Sequence, residues 1–164
     1  MQSSVLELRP ATASDAGDIA RIWREGWLDA HLGHVPRELV EARTADSFAA
    51  RAAGAIASTI VATRADAVAG FVMIVEDQVD QLYLDRSARG GGVGAALLGE
   101  AERRVIASGH AHAWLAVASG NAPARRFYER QGWIDDGPFV HGAPVSGGVI
   151  DVDCHRFRSP EREH

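Results

Sequence analysis

The stretch that decides the fold runs from Val79 to Ser108 and reads VDQLYLDRSARGGGVGAALLGEAERRVIAS. It predicts a strand over Val79–Leu84, a glycine-rich loop over Gly90–Gly94 and a helix over Ala95–Ser108. Glycines let backbone N–H groups come close to a ligand, and the first turn of a helix offers unpaired N–H donors and the positive end of its dipole. Two arginines beside the loop add positive charge. The stretch therefore predicts an anion cradle and favours a phosphate as the anion.

Two common phosphate-binding motifs fit this loop poorly. The dinucleotide fingerprint G-x-G-x-x-A can be laid over Gly90, Gly92 and Ala95, but the loop lies in mid-chain and no acidic residue ends the next predicted strand. The nucleotide P-loop needs a lysine, and the chain contains none. The pattern that fits is R-x-x-G-x-G, written here as Arg89-Gly90-Gly91-Gly92-Val93-Gly94.

A second block further along the chain, residues 121–133, reads NAPARRFYERQGW. The two blocks, in this order and spacing and after a strand that ends Leu82-Tyr83-Leu84, resemble the GCN5-related N-acetyltransferase (GNAT) family. In layout the resemblance covers roughly residues 5–157, although its specificity lies in the two blocks. It implies a domain that binds acetyl-coenzyme A (acetyl-CoA) as a cosubstrate.

The composition is that of an ordinary globular domain. The chain has 164 residues, of which 46% are apolar and 24% charged, and its net charge is −5. This charge argues against a nucleic-acid surface and is consistent with a cationic substrate. No apolar run approaches the ~20 residues needed to cross a bilayer, so no membrane partner is expected. Because Cys154 is the only cysteine and the first residues show no secretion-signal pattern, we expect a cytoplasmic protein.

Hydrophobic periodicity predicts elements in the order β-α-α-β-β-β-α-β-α-β-β, which is a mixed α+β fold. The predicted strands are Val5–Arg9, Thr59–Thr63, Val68–Glu76, Val79–Leu84, Ala113–Val117, Trp133–Val140 and Val149–Phe157. The predicted helices run from a cap at Thr12 or Ser14 to Ala30, and over 37–53, 95–108 and 122–131. The resemblance implies the GNAT fold, a mostly antiparallel sheet flanked by helices, in which the fourth and fifth strands splay apart around the arm of the cofactor. We expect one domain over residues 1–157 and a disordered tail over 158–164.

The resemblance also assigns the residues that contact acetyl-CoA. The diphosphate is expected on backbone N–H groups of Arg89, Gly90, Gly91, Gly92, Val93 and Gly94, although a plain strand-to-helix turn and a solvated Arg89 are the alternatives. The strand over Leu82 and Leu84 is expected to contribute its backbone, with the Leu84 N–H at the thioester. Asn121 matches the family's asparagine on the cofactor arm, but its role as a helix N-cap would be sufficient alone.

Three residues are candidates for the chemistry. Tyr128 matches the family's tyrosine general acid, and the alternative is a packed tyrosine whose hydroxyl bonds to the backbone. An alkylamine with a pKa of ~10.4 is almost entirely protonated near neutral pH, so a base or a desolvating pocket must help to supply ~4 kcal/mol. Asp80 is the first candidate for that base and Glu76 the second, and either could be a solvated charge at a strand end.

The acceptor site that the resemblance implies lies between the first two helices and the sheet. Trp27, His31 and His34 cluster before Pro36 and are the candidates to line it. No Cys or acidic partner has a spacing suitable for a metal site with the two histidines, so no metal is expected.

The sequence therefore predicts an N-acetyltransferase that transfers the acetyl group directly from acetyl-CoA to an amine. Two alternatives stay open, namely a non-catalytic acyl-CoA-binding module and an acyltransferase for another acyl chain or acceptor. Dimerisation is common among similar proteins, so a homodimer also stays open.

Overall fold

The computed structural model describes residues 5–162 and contains a seven-stranded sheet with the strand order β1-β2-β3-β4-β5-β7-β6. The strands are β1 Leu6–Pro10, β2 Thr59–Arg64, β3 Ala67–Val75, β4 Gln78–Leu84, β5 Trp114–Ala118, β6 Ile134–Val145 and β7 Gly148–Arg158. The helices are α1 Ala16–His31, α2 Arg37–Ala42, α3 Ala45–Gly54, α4 Val93–Ala107 and α5 Ala122–Arg130. None of these helices has the length and apolar character needed to cross a bilayer.

The sheet is antiparallel except where β4 meets β5. These two strands are parallel and pair only at Gln78 and Trp114. Beyond that point they separate, while β4 stays paired with β3 and β5 stays paired with β7. The mixed α+β fold is thus confirmed, and so is the splay between the fourth and fifth strands.

Apolar side chains cover both faces of the sheet. On one face α4 packs against the sheet through residues that include Val93, Leu97 and Val105, all almost fully buried. On the other face α1 and α3 do so through residues that include Trp23 and Phe48. The sheet is therefore held from both sides, and the site lies where it splits.

The prediction of one helix over residues 37–53 is wrong, because the helix ends at Ala42 and a second helix begins at Ala45. The Thr44 hydroxyl accepts from the Ser47 N–H at 3.1 Å and caps a new helix, α3. Arg43, between the two helices, takes φ −89° and ψ 67°, which is not helical. A local cap competes successfully with continuation of the helix here. The break leaves the Arg43 side chain buried.

The C-terminal hairpin is longer than predicted at both ends. The predicted loop over 141–148 is instead a continuation of β6 and β7 around a turn in which Gly147 has φ 87°. At the other end Arg158 belongs to β7, and the Ser159 hydroxyl accepts from the Ala113 N–H at 2.9 Å in a fully buried position. The expected tail is therefore wrong at these two residues, and residues 163–164 lie outside the described range.

Candidate active site

The loop before α4 carries backbone N–H groups that the protein leaves free. Gly90 and Gly92 take φ of 81° and 85°, a region in which residues with a side chain are strained. The first hydrogen bond of the helix runs from the Ala96 N–H to the Gly92 carbonyl at 3.1 Å. Within residues 5–162, no backbone carbonyl accepts from the N–H groups of residues 90–95. The loop and the first turn of α4 form an open cradle of donors, which suits an anion.

Two arginines beside this cradle are tied to α1. The Asp29 carboxylate accepts from Arg86 at 3.0 Å and from Arg89 at 3.1 Å. These bonds, that from Arg86 above all, hold the pKa of Asp29 below its usual value. The three side chains are exposed, so the bridge lies at the rim of the cradle. Two guanidinium groups thus share one carboxylate at this rim.

A cleft of about 610 Å³ extends from the cradle along β4 and α5. We call it the α4 cleft. Its lining residues include Leu82, Leu84, Arg89, Gly90, Gly92, Gly94, Asn121, Phe127 and Tyr128. The loop contributes backbone donors, β4 contributes apolar side chains, and the α5 side contributes both apolar residues and the polar residues Arg130 and Gln131. An elongated ligand with an anionic group at one end fits this distribution.

Beside the cleft, the separation of β4 from β5 leaves a gap of about 90 Å³, here called the β4–β5 gap. The Asp85 N–H donates across to the Ala69 carbonyl of β3 at 2.9 Å. Because polar backbone groups alternate sides along a strand, the N–H groups of Leu82 and Leu84 point away from β3 and towards the gap. These backbone donors, rather than the leucine side chains, are the polar groups that β4 offers here.

Tyr128 of α5 lines both the α4 cleft and the β4–β5 gap. Its ring packs against Phe127, Trp133 and Phe157, with centroids 5.2, 6.3 and 5.8 Å away. Burial raises the pKa of its phenol above the usual value, so it carries its proton at neutral pH. Among the described residues no hydrogen bond engages the hydroxyl, so the alternative of a backbone-bonded tyrosine is not found.

Asn121 occupies the junction of β5 and α5. Its side-chain oxygen accepts from the Ala124 N–H at 3.3 Å, so the predicted N-cap is confirmed. The residue also lines the α4 cleft and the β4–β5 gap. The side-chain amide thus has access to the cleft while its oxygen caps the helix.

A third cavity, of about 140 Å³, continues from the gap to the α1 side of the sheet. We call it the Asp80 cavity. Its lining includes Trp27, His31, Arg43, Arg51, Asp80, Tyr83, His141 and Cys154. The gap and this cavity share Asp80 and His31, whereas the gap and the α4 cleft share Tyr128. The three spaces therefore adjoin one another at the split in the sheet, and we refer to them together as the path through the sheet.

Asp80 occupies a bulge in β4. The register pairs Met73 with Gln81 and then Ile74 with Val79, which leaves Asp80 without a partner. Bulges re-aim side chains and are common beside active sites. Burial raises the pKa of Asp80 above its usual value, and the positive charge of Arg51 opposes that rise. A carboxyl with a raised pKa is better matched to proton transfer near neutral pH.

Trp27 and His31 form one wall of the Asp80 cavity. Their rings stack at 4.7 Å, and His31 Nδ1 lies 2.8 Å from the Trp27 carbonyl oxygen. Burial lowers the pKa of His31, so the ring is neutral at neutral pH. Since a carbonyl oxygen only accepts, Nδ1 is the protonated nitrogen and Nε2 is left as an acceptor.

Comparison with known families decides the class of the chain. The model of the acetyltransferase (GNAT) family matches residues 18–133. The chain belongs to this family. The matched range includes the α4 cleft loop, Asp80 and Tyr128.

Solved structures show that the fold of this GNAT domain extends over almost the whole chain. A GCN5-related N-acetyltransferase from Rhodopseudomonas palustris is 22% identical with a TM-score of 0.73, over 96% of this chain and 97% of that one. PaiA N-acetyltransferase from Thermoplasma acidophilum, solved with coenzyme A, is 19% identical with a TM-score of 0.68, over 93% and 98%. YncA from Salmonella typhimurium, solved with acetyl-CoA, is 18% identical with a TM-score of 0.70, over 98% and 96%. No curated protein sequence matches the chain.

Two predicted site residues of this GNAT domain lie apart from the others. Glu76 is exposed in the β3–β4 turn with φ 56° and lines a separate surface cavity with Arg104. His34 is exposed and packs on Gly120, where a Cβ would lie only 2.4 Å from its Nδ1. Within residues 5–162 no group of three or more His, Cys, Asp or Glu side chains is arranged to hold a metal ion.

Tyr83 is a site residue that the sequence reading missed, and it lines all three spaces of the GNAT domain. Its ring lies against α1 at Gly26, where a Cβ would come within 2.6 Å of the ring. A glycine in the middle of a predicted helix costs about 1 kcal/mol relative to alanine. A glycine in the middle of a helix therefore indicates that another part of the chain packs closely against it, which here is the Tyr83 ring.

Arg43 and Arg51 were missed as well, although both line the Asp80 cavity. Their positions depend on the break between α2 and α3, which the sequence reading did not contain. Arg51 lies over the Trp23 ring at 4.3 Å, and no spacing rule connects these two residues with Asp80.

Proposed function

We propose that this protein is an N-acetyltransferase that binds acetyl-CoA in the α4 cleft and transfers its acetyl group directly to an amine in the Asp80 cavity. The observation that carries the proposal is the row of free N–H groups at residues 90–95, open to a cleft that runs to Tyr128. A diphosphate suits such donors at a helix N-terminus. The related PaiA and YncA structures contain coenzyme A and acetyl-CoA, which supports this ligand.

The path through the sheet suits the two reactants. The diphosphate would lie on the cradle with the pantetheine arm between β4 and α5, so that the thioester reaches the β4–β5 gap. The amine would enter from the Asp80 cavity on the other side. Two reactants held in adjoining spaces do not need to meet by collision, which is a large part of the catalytic effect available to such a site.

The backbone and Tyr128 would serve the acyl-transfer step. The nitrogen lone pair attacks the thioester carbonyl carbon, and the negative charge that develops on oxygen is stabilised by the Leu84 N–H, a contribution of ~3 kcal/mol for one well-placed donor. When the C–S bond breaks, the electron pair leaves with sulfur. Tyr128 donates its proton to the thiolate, and the proton that the attacking nitrogen loses as the amide forms restores the phenol, so that the products are the N-acetylated amine and coenzyme A.

Asp80 would accept the proton that the amine must lose. An alkylammonium with a pKa of ~10.4 is about three units from neutral pH, which corresponds to ~4 kcal/mol. Asp80 lies in the cavity through which the amine enters, and burial raises its pKa. Both features make it a better base than an ordinary surface carboxylate.

Calorimetry and turnover together test this function. We expect acetyl-CoA and coenzyme A to bind, and pantetheine, which lacks the diphosphate, to bind much more weakly. Release of coenzyme A is then measured with a panel of amines and alcohols. Binding without release for any acceptor would favour the non-catalytic module, and release with alcohols alone would favour another acceptor class. A protein that binds no acetyl-CoA would end the proposal.

The location of the enzyme in the cell is part of the same proposal. Cys154 is the only cysteine and is buried and unpaired. We propose a cytoplasmic enzyme, because a reducing compartment suits a protein with no disulfide.

A further inference from the structure

The Asp80 cavity contains two arginines that lack acidic partners. Arg43 is 6% exposed, and its Nε has no hydrogen-bond partner among residues 5–162. Arg51 is partly buried, with its guanidinium over the Trp23 ring at 4.3 Å. Within the described residues neither arginine forms an ion pair, whereas other arginines such as Arg37 pair with a nearby carboxylate. Both arginines line the cavity.

The other titratable groups of the cavity do not balance this charge. Asp80 is the one acid among its lining residues. Burial keeps Tyr83 and Cys154 protonated and neutral, with the pKa of Cys154 raised to about 11. His31 is neutral because burial lowers its pKa. The cavity therefore contains two fixed positive charges against one carboxyl, inside a protein whose net charge is −5.

Burial makes the uncompensated positive charge of the two arginines energetically costly. Burial and the neighbouring Arg51 lower the pKa of Arg43 to about 10, so the group is still a cation at neutral pH. A buried charge is normally paired or hydrogen-bonded, because it has lost its contact with water. A planar guanidinium matches a carboxylate or a phosphate in geometry and charge. An anion in the cavity would supply the missing partner.

We infer that the acceptor is a small amine that also carries an anionic group, a carboxylate or a phosphate, which binds Arg43 and Arg51 while its amine faces Asp80. The inference rests on the proposed function, because it names the acceptor of that reaction. It also reverses the expectation of a cationic substrate that the net charge suggested. The negative group of such an acceptor complements Arg43 and Arg51, and its positively charged amine complements Asp80.

Matched pairs of amines test the inference in protein saturated with coenzyme A. Each standard L-amino acid is compared with its carboxamide, and O-phosphoethanolamine with ethanolamine. Calorimetry gives Kd for every pair, and release of coenzyme A from acetyl-CoA gives KM and kcat. In at least one pair we expect the member that carries the carboxylate or phosphate to bind about tenfold or more tightly than the member that lacks it, as for a charge-assisted hydrogen bond. The pair that shows the preference identifies the anion as carboxylate or phosphate.

Variants connect that preference with the two arginines. In Arg43→Met and Arg51→Met we expect the preference to fall to less than about threefold through KM and Kd, while Arg43→Lys retains part of it. Arg37→Met, at the exposed start of α2, the helix that ends just before Arg43, is the matched control and keeps the full preference. Thermal melting shows whether each variant is folded. If a variant does not fold, the inference is judged on the preference that the wild-type protein shows between the members of each pair.

The outcomes separate this inference from the proposed function. Acetylation of amines that lack a carboxylate or phosphate as readily as of those that carry one overturns the inference and leaves the function standing. No binding of any anionic amine, or a preference that survives both arginine variants, also overturns it. Arginine-dependent binding of an anionic amine without any turnover supports the anion site and counts against the proposed reaction.

Discussion

The α4 cleft and the Asp80 cavity meet at Tyr83 but are built from different parts of the chain. The cradle of the cleft consists of main-chain N–H groups from six consecutive residues, 90–95. The Asp80 cavity is built from side chains of α1, α3, β4, β5, β6 and β7 and from Arg43 between two helices. The first depends on local backbone conformation, whereas the second depends on how distant segments pack. The comparison indicates that the cofactor end is set by local sequence and the acceptor end by the tertiary fold.

The two regions also differ in how their charges are balanced. At the cleft, Arg86 and Arg89 share Asp29 at an exposed rim. In the Asp80 cavity, Arg43 and Arg51 are buried further and share no carboxylate within the described residues. A ligand at the rim can take the place of Asp29 as the partner of the arginines, whereas in the cavity Asp80 is one carboxyl against two arginines and forms no ion pair with either among the described residues.

The largest expected effect separates chemistry from cofactor binding. Tyr128→Phe removes the proton donor between the α4 cleft and the β4–β5 gap, and we expect kcat to fall by ~100-fold or more, the usual range for general acid catalysis. The Kd of acetyl-CoA should stay within about twofold, because the cradle is main chain. Calorimetry and coenzyme A release measure the two quantities. The matched change at the other tyrosine, Tyr83→Phe, should reduce kcat less than about tenfold, and the reverse ranking would move the acid to Tyr83.

The next effect concerns the base. Asp80→Asn should lower kcat/KM by about 10- to 100-fold near neutral pH without weakening acetyl-CoA binding. A base works only when ionised, and burial raises the pKa of Asp80 above 3.8. Activity of the wild-type enzyme should therefore fall on acidification at a pH above that value, and the variant should lack this limb of the profile.

Glu76→Gln is the matched control for the base. Glu76 lies in an exposed turn outside the path through the sheet, so the pH profile and kcat/KM should match those of the wild type. An acidic limb that persists in Asp80→Asn would assign the base to another group, and His31 would be the first candidate because its Nε2 is an acceptor in the same cavity.

Much of the fold could be predicted from the sequence because its elements have local signals. Alternating strands, the glycine loop and the Asn121 cap all appear in the structure. The break at Arg43 could not be predicted with the same ease, since α2 and α3 have similar helical patterns and only the Thr44 cap separates them. The end of β7 was missed because the burial of Ser159 depends on Ala113, far away in the chain.

The site divides in the same way. Residues of the cradle and of α5 were predicted because their motifs are contiguous. Asp80 was preferred over Glu76 because it lies two residues before Leu82, in the region where the family resemblance implies an acidic residue, and the structure adds that Asp80 occupies a bulge in β4. Arg43 and Arg51 escaped notice, because an arginine in a polar stretch gives no sign in the sequence that tertiary packing will bury it.

A smaller effect tests whether the cofactor end really depends on backbone conformation. Gly92 has φ 85° with open space around it, so Gly92→Ala adds strain of about 1–2 kcal/mol and no clash. We expect Tm to fall by a few degrees and the Kd of acetyl-CoA to rise about 5- to 10-fold as the loop amides reorient. Gly91→Ala is the control, since Gly91 is not in the positive-φ region and its Cβ would meet only ordinary contacts, the nearest at 3.6 Å. Equal losses in both variants would mean that space above the loop, and not its conformation, is what the ligand needs.

The smallest expected effect concerns the rim of the cleft. Asp29 holds Arg86 and Arg89 in exposed ion pairs, and such pairs are worth about 1 kcal/mol or less. In Asp29→Asn an incoming diphosphate no longer competes with a carboxylate, so acetyl-CoA should bind about two- to threefold more tightly at low salt. The gain should vanish near 1 M salt, where the screening length is ~3 Å. Asp18→Asn makes the same charge change near the start of α1 and should leave Kd unchanged. Weaker binding of acetyl-CoA in Asp29→Asn would instead mean that the carboxylate positions Arg89 for the ligand. The cofactor end would then also depend on a tertiary contact, and it would differ from the Asp80 cavity only in degree.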